Sequence, residues 1–212
     1  MKKLLLLGMA LILAVSLAGC GGGGNRNDTV IVQTFSDRNV DGDIAFTPPS
    51  TFTFSQDITP RPVFVLFGLD GRGTEFRAFM DFPLDGSNGG GVVPSSATIV
   101  SADIEVFVFN VTFSSIVPTL MDLVPFPITH LRPADFNSIP FATRSPFNFL
   151  AADINNFVRI DVTSLMQEAQ RQGMKNFQVR FLLDLVPGAD GLVEISDGPS
   201  LNTAPILTVE YR

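Results

Sequence analysis

Apolar and polar residues alternate through most of this chain, which is the period of strands that bury one face. Val158, Ile160 and Val162 point one way, and Arg159 and Asp161 the other. Phe177, Val179, Phe181 and Leu183 share a face within 176–184. The longest candidate strand is 97–111, where Ile104, Val106 and Val108 alternate with Asp103 and Glu105. From Phe107 onward both faces read apolar, which predicts cover on both sides at that end. Further strands are predicted at 29–35, 51–54, 62–67, 75–82, 192–195 and 205–211. Asp70-Gly71, inside the loop 68–73, predicts a hairpin. One helix is predicted at 165–172, with Ser164 and Gln167 at capping-box spacing and Gly173 where it stops. Prolines at 118, 125, 127, 133, 140 and 146 break up 112–156. That segment predicts an edge strand at 123–131 and a single helical turn at 134–138. The sum is an all-β, antiparallel β-sandwich with one short helix near 164–172.

The first residues follow a different rule. Lys2 and Lys3 precede an apolar run, 4–17, that is too short to span a bilayer and ends in small residues. This is the order of a secretory signal. Leu17-Ala18-Gly19-Cys20 resembles the lipobox of bacterial lipoproteins. The resemblance implies cleavage before Cys20, a diacylglyceryl thioether on its sulfur and an acyl chain, such as palmitate, on its new amine. Each buried methylene contributes about 0.8 kcal/mol, so two or three chains hold a protein firmly where one does not. Cys20 is the only cysteine, so no internal disulfide competes for it. The expected organisation is a signal peptide at 1–19, a lipidated tether at 20–28 and a β-sandwich domain at 29–212. The glycine-rich tether spans roughly 16 Å on average. The expected location is the bacterial cell envelope, at the outer membrane, with the domain outside the cytoplasm.

Charge then narrows the partners. The chain has 14 Lys and Arg against 21 Asp and Glu. Losing residues 1–19 removes two lysines and no acid, moving the formal charge from −7 to −9. Such a domain has no electrostatic footprint for nucleic acid. No glycine-rich phosphate loop opens a helix, so no nucleotide is expected. There are 20 Phe, one Tyr and no Trp. Phe has no polar handle, so most of these rings belong in a core.

Candidate chemistry is sparse. Asp37, Asn39 and Asp41 stand at alternate positions, followed by Gly42 and Asp43. This is the first half of a calcium loop, for which a structural calcium ion is the candidate occupant. The twelfth position is Pro48 rather than a bidentate acid, and the same residues also suit a solvated turn. His130 is the only histidine, and no Gly-x-Ser-x-Gly elbow accompanies it. Asp184, Asp190, Glu194 and Asp197 gather late in the chain and read as a solvated rim rather than a glycosidase pair. No catalytic residue is assigned and no enzyme is expected. Phe141, Phe147 and Phe149 are the candidate ligand-binding rings, with plugging an end of the sandwich as their alternative use.

Several runs together carry a resemblance. They are 77–84 (Arg77 to Leu84), 93–104 (Val93 to Ile104), 158–165 (Val158 to Leu165), 176–180 (Asn176 to Arg180) and 204–211 (Ala204 to Tyr211). In this order they resemble the DNRLRE domain, a bacterial extracellular β-sandwich related to carbohydrate-binding modules. The run for which that domain is named is absent. The resemblance implies a jelly-roll-like pair of antiparallel sheets and a non-catalytic module for polysaccharide. The alternative is a structural or protein-interaction component of an envelope assembly. The expected partners are therefore the membrane, through the anchor, and a glycan or an envelope protein.

Overall fold

The computed structural model describes residues 28–185, 190–198 and 202–212. Cys20 and most of the tether lie outside them. Twelve strands are named in chain order: β1 (Val30–Phe35), β2 (Gly42–Thr47), β3 (Thr51–Phe54), β4 (Phe64–Leu69), β5 (Glu75–Pro83), β6 (Ile99–Thr112), β7 (Ile116–Leu123), β8 (Ala142–Leu150), β9 (Asn156–Asp161), β10 (Asn176–Leu183), β11 (Gly191–Ser196) and β12 (Ile206–Tyr211). Two short α-helices, α1 (Pro133–Phe136) and α2 (Thr163–Arg171), complete the set. The all-β, antiparallel expectation and its short helix hold.

The first layer is built on β6. Ile104 pairs with Ile160 of β9 on one edge and with Leu207 of β12 on the other. Val108 likewise pairs with Asn156 of β9 and Ile195 of β11. β12 and β11 therefore lie end to end along one edge of β6, with β1 outside β12 and β4 outside β11. The second layer runs β3-β2-β5-β10-β7-β8. The layers join at the β4–β5 hairpin, paired only at Gly68↔Phe76 and Leu69↔Glu75. The Asp70 carboxylate closes that turn by accepting the N–H groups of Arg72 and Thr74, both at 2.8 Å.

One apolar core fills the space between the layers. Ala102, Ile104, Val106 and Val108 of β6 face Phe177, Val179 and Phe181 of β10 across it, all essentially inaccessible. Phe67 of β4 meets Phe149 at 5.4 Å and Phe181 at 5.5 Å between ring centres. Rings of this size dominate core energetics. α2 buries Leu165, Met166 and Ala169 against the same core. Its start differs from expectation: Thr163 is its first residue, and no side chain caps it from Val162. The Asp161 carboxylate accepts the Thr163 N–H at 2.9 Å instead. Gly173, at φ +66°, ends it as expected.

The segment 124–141 is where the structure departs most from the sequence pattern. The predicted edge strand at 123–131 does not form, because Pro125 and Pro127 remove ladder donors. β7 ends at Leu123, and the chain then lies over the outer face of the second layer. Gln178 takes the part of a neighbouring strand there. Its amide oxygen accepts the Phe126 N–H at 3.1 Å, and its amide nitrogen donates to the Phe126 carbonyl at 3.0 Å. Arg180 donates to the carbonyls of Asp135, Phe136 and Ser138. Arg77 donates to the Phe136 carbonyl and lies 3.9 Å over the Phe136 ring centre. Beneath this strap sits a second core of Ile44, Phe79, Val124, Phe126, Leu131 and Phe136.

Candidate ligand-binding face

The strap leaves the two outer faces unequal. The second layer is covered; among the described residues, the outer face of the first layer is not. The alternation of β6 puts Asp103, Glu105 and Phe107 on the open side, opposite the buried Ile104, Val106 and Val108. A register shift follows: Glu194 pairs with Asn110 and Ile195 with Val108, leaving Phe109 as the extra residue. Phe109 keeps the outward parity of Phe107 and is 50% exposed, while the bulge lets Val111 turn back into the core. Among the described residues nothing provides the expected cover over the end of β6. Both rings are part of an open surface.

Neighbouring strands add to that surface. Phe157 of β9 stands directly across from Phe107, with ring centres 5.1 Å apart and planes at 70°. Phe157 is itself 49% exposed. Phe64 of β4 lies parallel to Phe109, 6.0 Å away at 15°. The result is two aromatic pairs on one sheet face. Beside them is a polar half. Arg159 Nη2 sits 2.6 Å from Asp103 Oδ2, which holds the guanidinium's proton more firmly than usual. Asn110 donates to Glu194 at 3.5 Å, and Gln33 to Thr208 at 3.2 Å. A shallow depression of about 130 Å³ lies among Gln33, Asp103, Glu105, Arg159, Ile206 and Thr208. Flat apolar rings next to carboxylates, amides and hydroxyls suit a ligand with apolar faces and polar edges.

The residues singled out from sequence are placed elsewhere. Phe149 is fully buried, touching Phe67. Phe147 packs on the same core with the Arg144 guanidinium 4.4 Å over its ring. Phe141 precedes β8 and is exposed. The three therefore share no open surface, because the 147/149 parity of β8 points inward. His130 is a surface group: Nε2 meets Asp57 at 2.8 Å and Nδ1 meets the Leu131 carbonyl at 2.7 Å.

The acidic loop is not a solvated turn throughout. Asp37 Oδ1 accepts the Asn39 N–H, Asp41 Oδ1 accepts the Asp81 N–H at 2.7 Å, and Asp43 Oδ2 accepts the Leu66 N–H. Asn39 is exposed, whereas Asp41 and Asp43 are buried. Each carboxylate thus serves a different piece of backbone. Arg61 donates to the Asp41 carbonyl, and Arg38 to the Asp197 carbonyl at 2.7 Å. Among the described residues no group of three or more His, Cys, Asp or Glu is placed to hold a metal ion. Asp197 is buried as well, not part of a rim. Burial, then the nearby Asp197, pushes the Asp41 carboxyl well above the usual range. Burial lifts Asp197 and Asp43 to about 7.

The sequence reading missed Phe64, Phe107, Phe109 and Phe157. A signal for three of them was present. Phe107 and Phe109 share the parity of Asp103 and Glu105, and Phe157 that of Arg159 and Asp161, so all three belong on the polar side. No protein-family model matches the chain, and no curated protein matches it either.

Proposed function

We propose that this is a lipid-anchored bacterial envelope protein whose sandwich is a non-catalytic module for polysaccharide. The observation that carries the binding part is the uncovered sheet face with two aromatic pairs beside its carboxylates. Sugar rings offer C–H faces to aromatic rings and hydroxyls to such polar neighbours, and several weak subsites along a polymer add up. The signal-like start and Cys20 support the anchor. The runs resembling the DNRLRE domain support the same class. Asp103 is tied to Arg159 and Glu194 to Asn110, an arrangement that suits holding a ligand rather than transferring a proton.

The test uses the full chain extracted in mild detergent. Gel retardation by embedded polysaccharides is expected, and Phe109→Ala is expected to reduce it. Indifference to every polysaccharide, or equal retardation of the variant, would sink the binding reading. The anchor is checked separately: Cys20→Ser should move the protein from the membrane fraction to the soluble one.

A second reading is favoured by one specific feature. Phe113, at φ +64° and 60% exposed, stands at the β6–β7 turn near the exposed pair Ile116↔Leu150. An apolar tip of this kind suits a protein neighbour in an envelope assembly. Cross-linking from position 113 to a defined envelope protein, unaffected by Phe109→Ala, would support it.

A further inference from the structure

The open face is not electrically neutral. Asp103, Glu105 and Asp161 project from β6 and β9, and Glu194 and Glu210 from β11 and β12. Against them the face carries Arg159, with Arg144 reaching the Asp161 carbonyl at its rim. Arg159 is committed to Asp103 at 2.6 Å. Glu105 pairs across the ladder with Arg159 but receives no hydrogen bond among the described residues. It lies two residues before Phe107 on the same side of β6, and such neighbours are about 7 Å apart. A sugar unit stacked on the Phe107–Phe157 pair therefore extends its substituents toward Glu105 and the depression that Glu105 lines.

We infer that this face selects polysaccharide by charge, favouring units with a protonated amine over acetylated units and disfavouring acidic ones. The inference rests on the glycan reading above. An ammonium at Glu105 gains a charge-assisted hydrogen bond beside apolar rings. An acetamide there loses the charge, and a uronate meets like charge, in a domain that is acidic as a whole.

The test compares three oligosaccharides of one length: glucosamine, N-acetylglucosamine and galacturonate. Calorimetry uses the full chain in detergent, at mildly acid pH where the sugar amine is protonated. The amine form is expected to bind about threefold more tightly than the acetylated form at low salt, with the gap closing at high salt. Glu105→Gln should erase the gap between the amine and acetylated forms. Asp57→Asn, the same change of charge near β3 on the covered side, should preserve it. Equal binding of amine and acetylated forms overturns the charge selection while the glycan reading stands. So does tighter binding of galacturonate, or an equal effect of Asp57→Asn, which would mark the attraction as non-specific. Failure of all three oligosaccharides to bind removes the glycan reading itself.

Discussion

Arg180 and Asp122 form an ion pair of 2.5 Å with both side chains almost wholly buried. The same guanidinium holds three carbonyls of the strap, so one residue ties β7, β10 and α1 together. Replacing it strands a buried carboxylate and several acceptors at once. Arg180→Leu is expected to cost about 3–5 kcal/mol in urea unfolding, and the Arg180→Leu/Asp122→Leu double variant less than the sum of the two single ones. A loss below about 1 kcal/mol would show that the strap is held by other means.

Stability should rise on mild acidification. The carboxyls of Asp41, Asp43, Asp81 and Asp197 all stand above their ordinary values, with burial as the largest cause of each. A carboxyl raised in the fold keeps its proton there more readily than in the unfolded chain. Its contribution is complete below the unfolded value and disappears as pH climbs through the folded one, about 7 for Asp43 and Asp197. His130 acts in the same sense, since Asp57 raises it. Opposing it, Asp161 is lowered by Thr163, and its contribution goes at more acid pH. The melting temperature should therefore be higher near about pH 5 than near about pH 8. Asp197→Asn should flatten the slope. A melting temperature that climbs steadily to pH 8 contradicts the assignment.

Two glycines should respond very differently to alanine. Gly68 sits at φ +117°, and a Cβ there would come within 2.0 Å of the Gly191 carbonyl oxygen. Gly173 sits at φ +66° with nothing within 4 Å. Gly173→Ala should cost about 1 kcal/mol, the ordinary left-handed penalty. Gly68→Ala has no such escape, because β4 and β11 are paired on either side of it. It should yield little folded protein, judged by soluble yield and near-UV circular dichroism. Comparable stability of the two variants would show that the corner can open.

A core ring of the second layer and a surface ring of the first separate fold from binding. Phe177→Ala, in the core, is expected to cost about 3–5 kcal/mol. Phe109→Ala, half exposed, should change stability by less than about 1 kcal/mol while weakening polysaccharide binding. If the Phe109 variant is as unstable as the Phe177 variant, that ring is structural.

Alternation made much of the fold readable. β9 and β10 follow the two-residue parity on their inner side, where Ile160, Phe177, Val179, Phe181 and Leu183 are buried in the core. Turn chemistry located the β4–β5 hairpin and the end of α2. β7 and β8 were not legible, because each contains a proline that reads as a break. Pro118 is tolerated because it lies one step outside the β7–β10 ladder, which begins at Thr119. The strap was equally hidden, since Gln178 replaces a missing strand with a side chain. The candidate face was misread for a simpler reason: apolar residues on both sides of β6 imply cover only if something is there to supply it. Among the described residues, the covering segment 124–141 lies on the other layer.

The pairing of β1 with β12 has a consequence for how the chain comes together. Val30 meets Tyr211 and Phe35 meets Ile206, so the opening strand finds its ladder partner in the closing residues. Contacts so distant along a chain form slowly. A polypeptide emerging amino-end first has that strand single until Ile206–Tyr211 arrives. Deleting Ile206–Tyr211 should therefore leave β1 without its ladder neighbour, and completion of the sandwich must wait until that segment has been made.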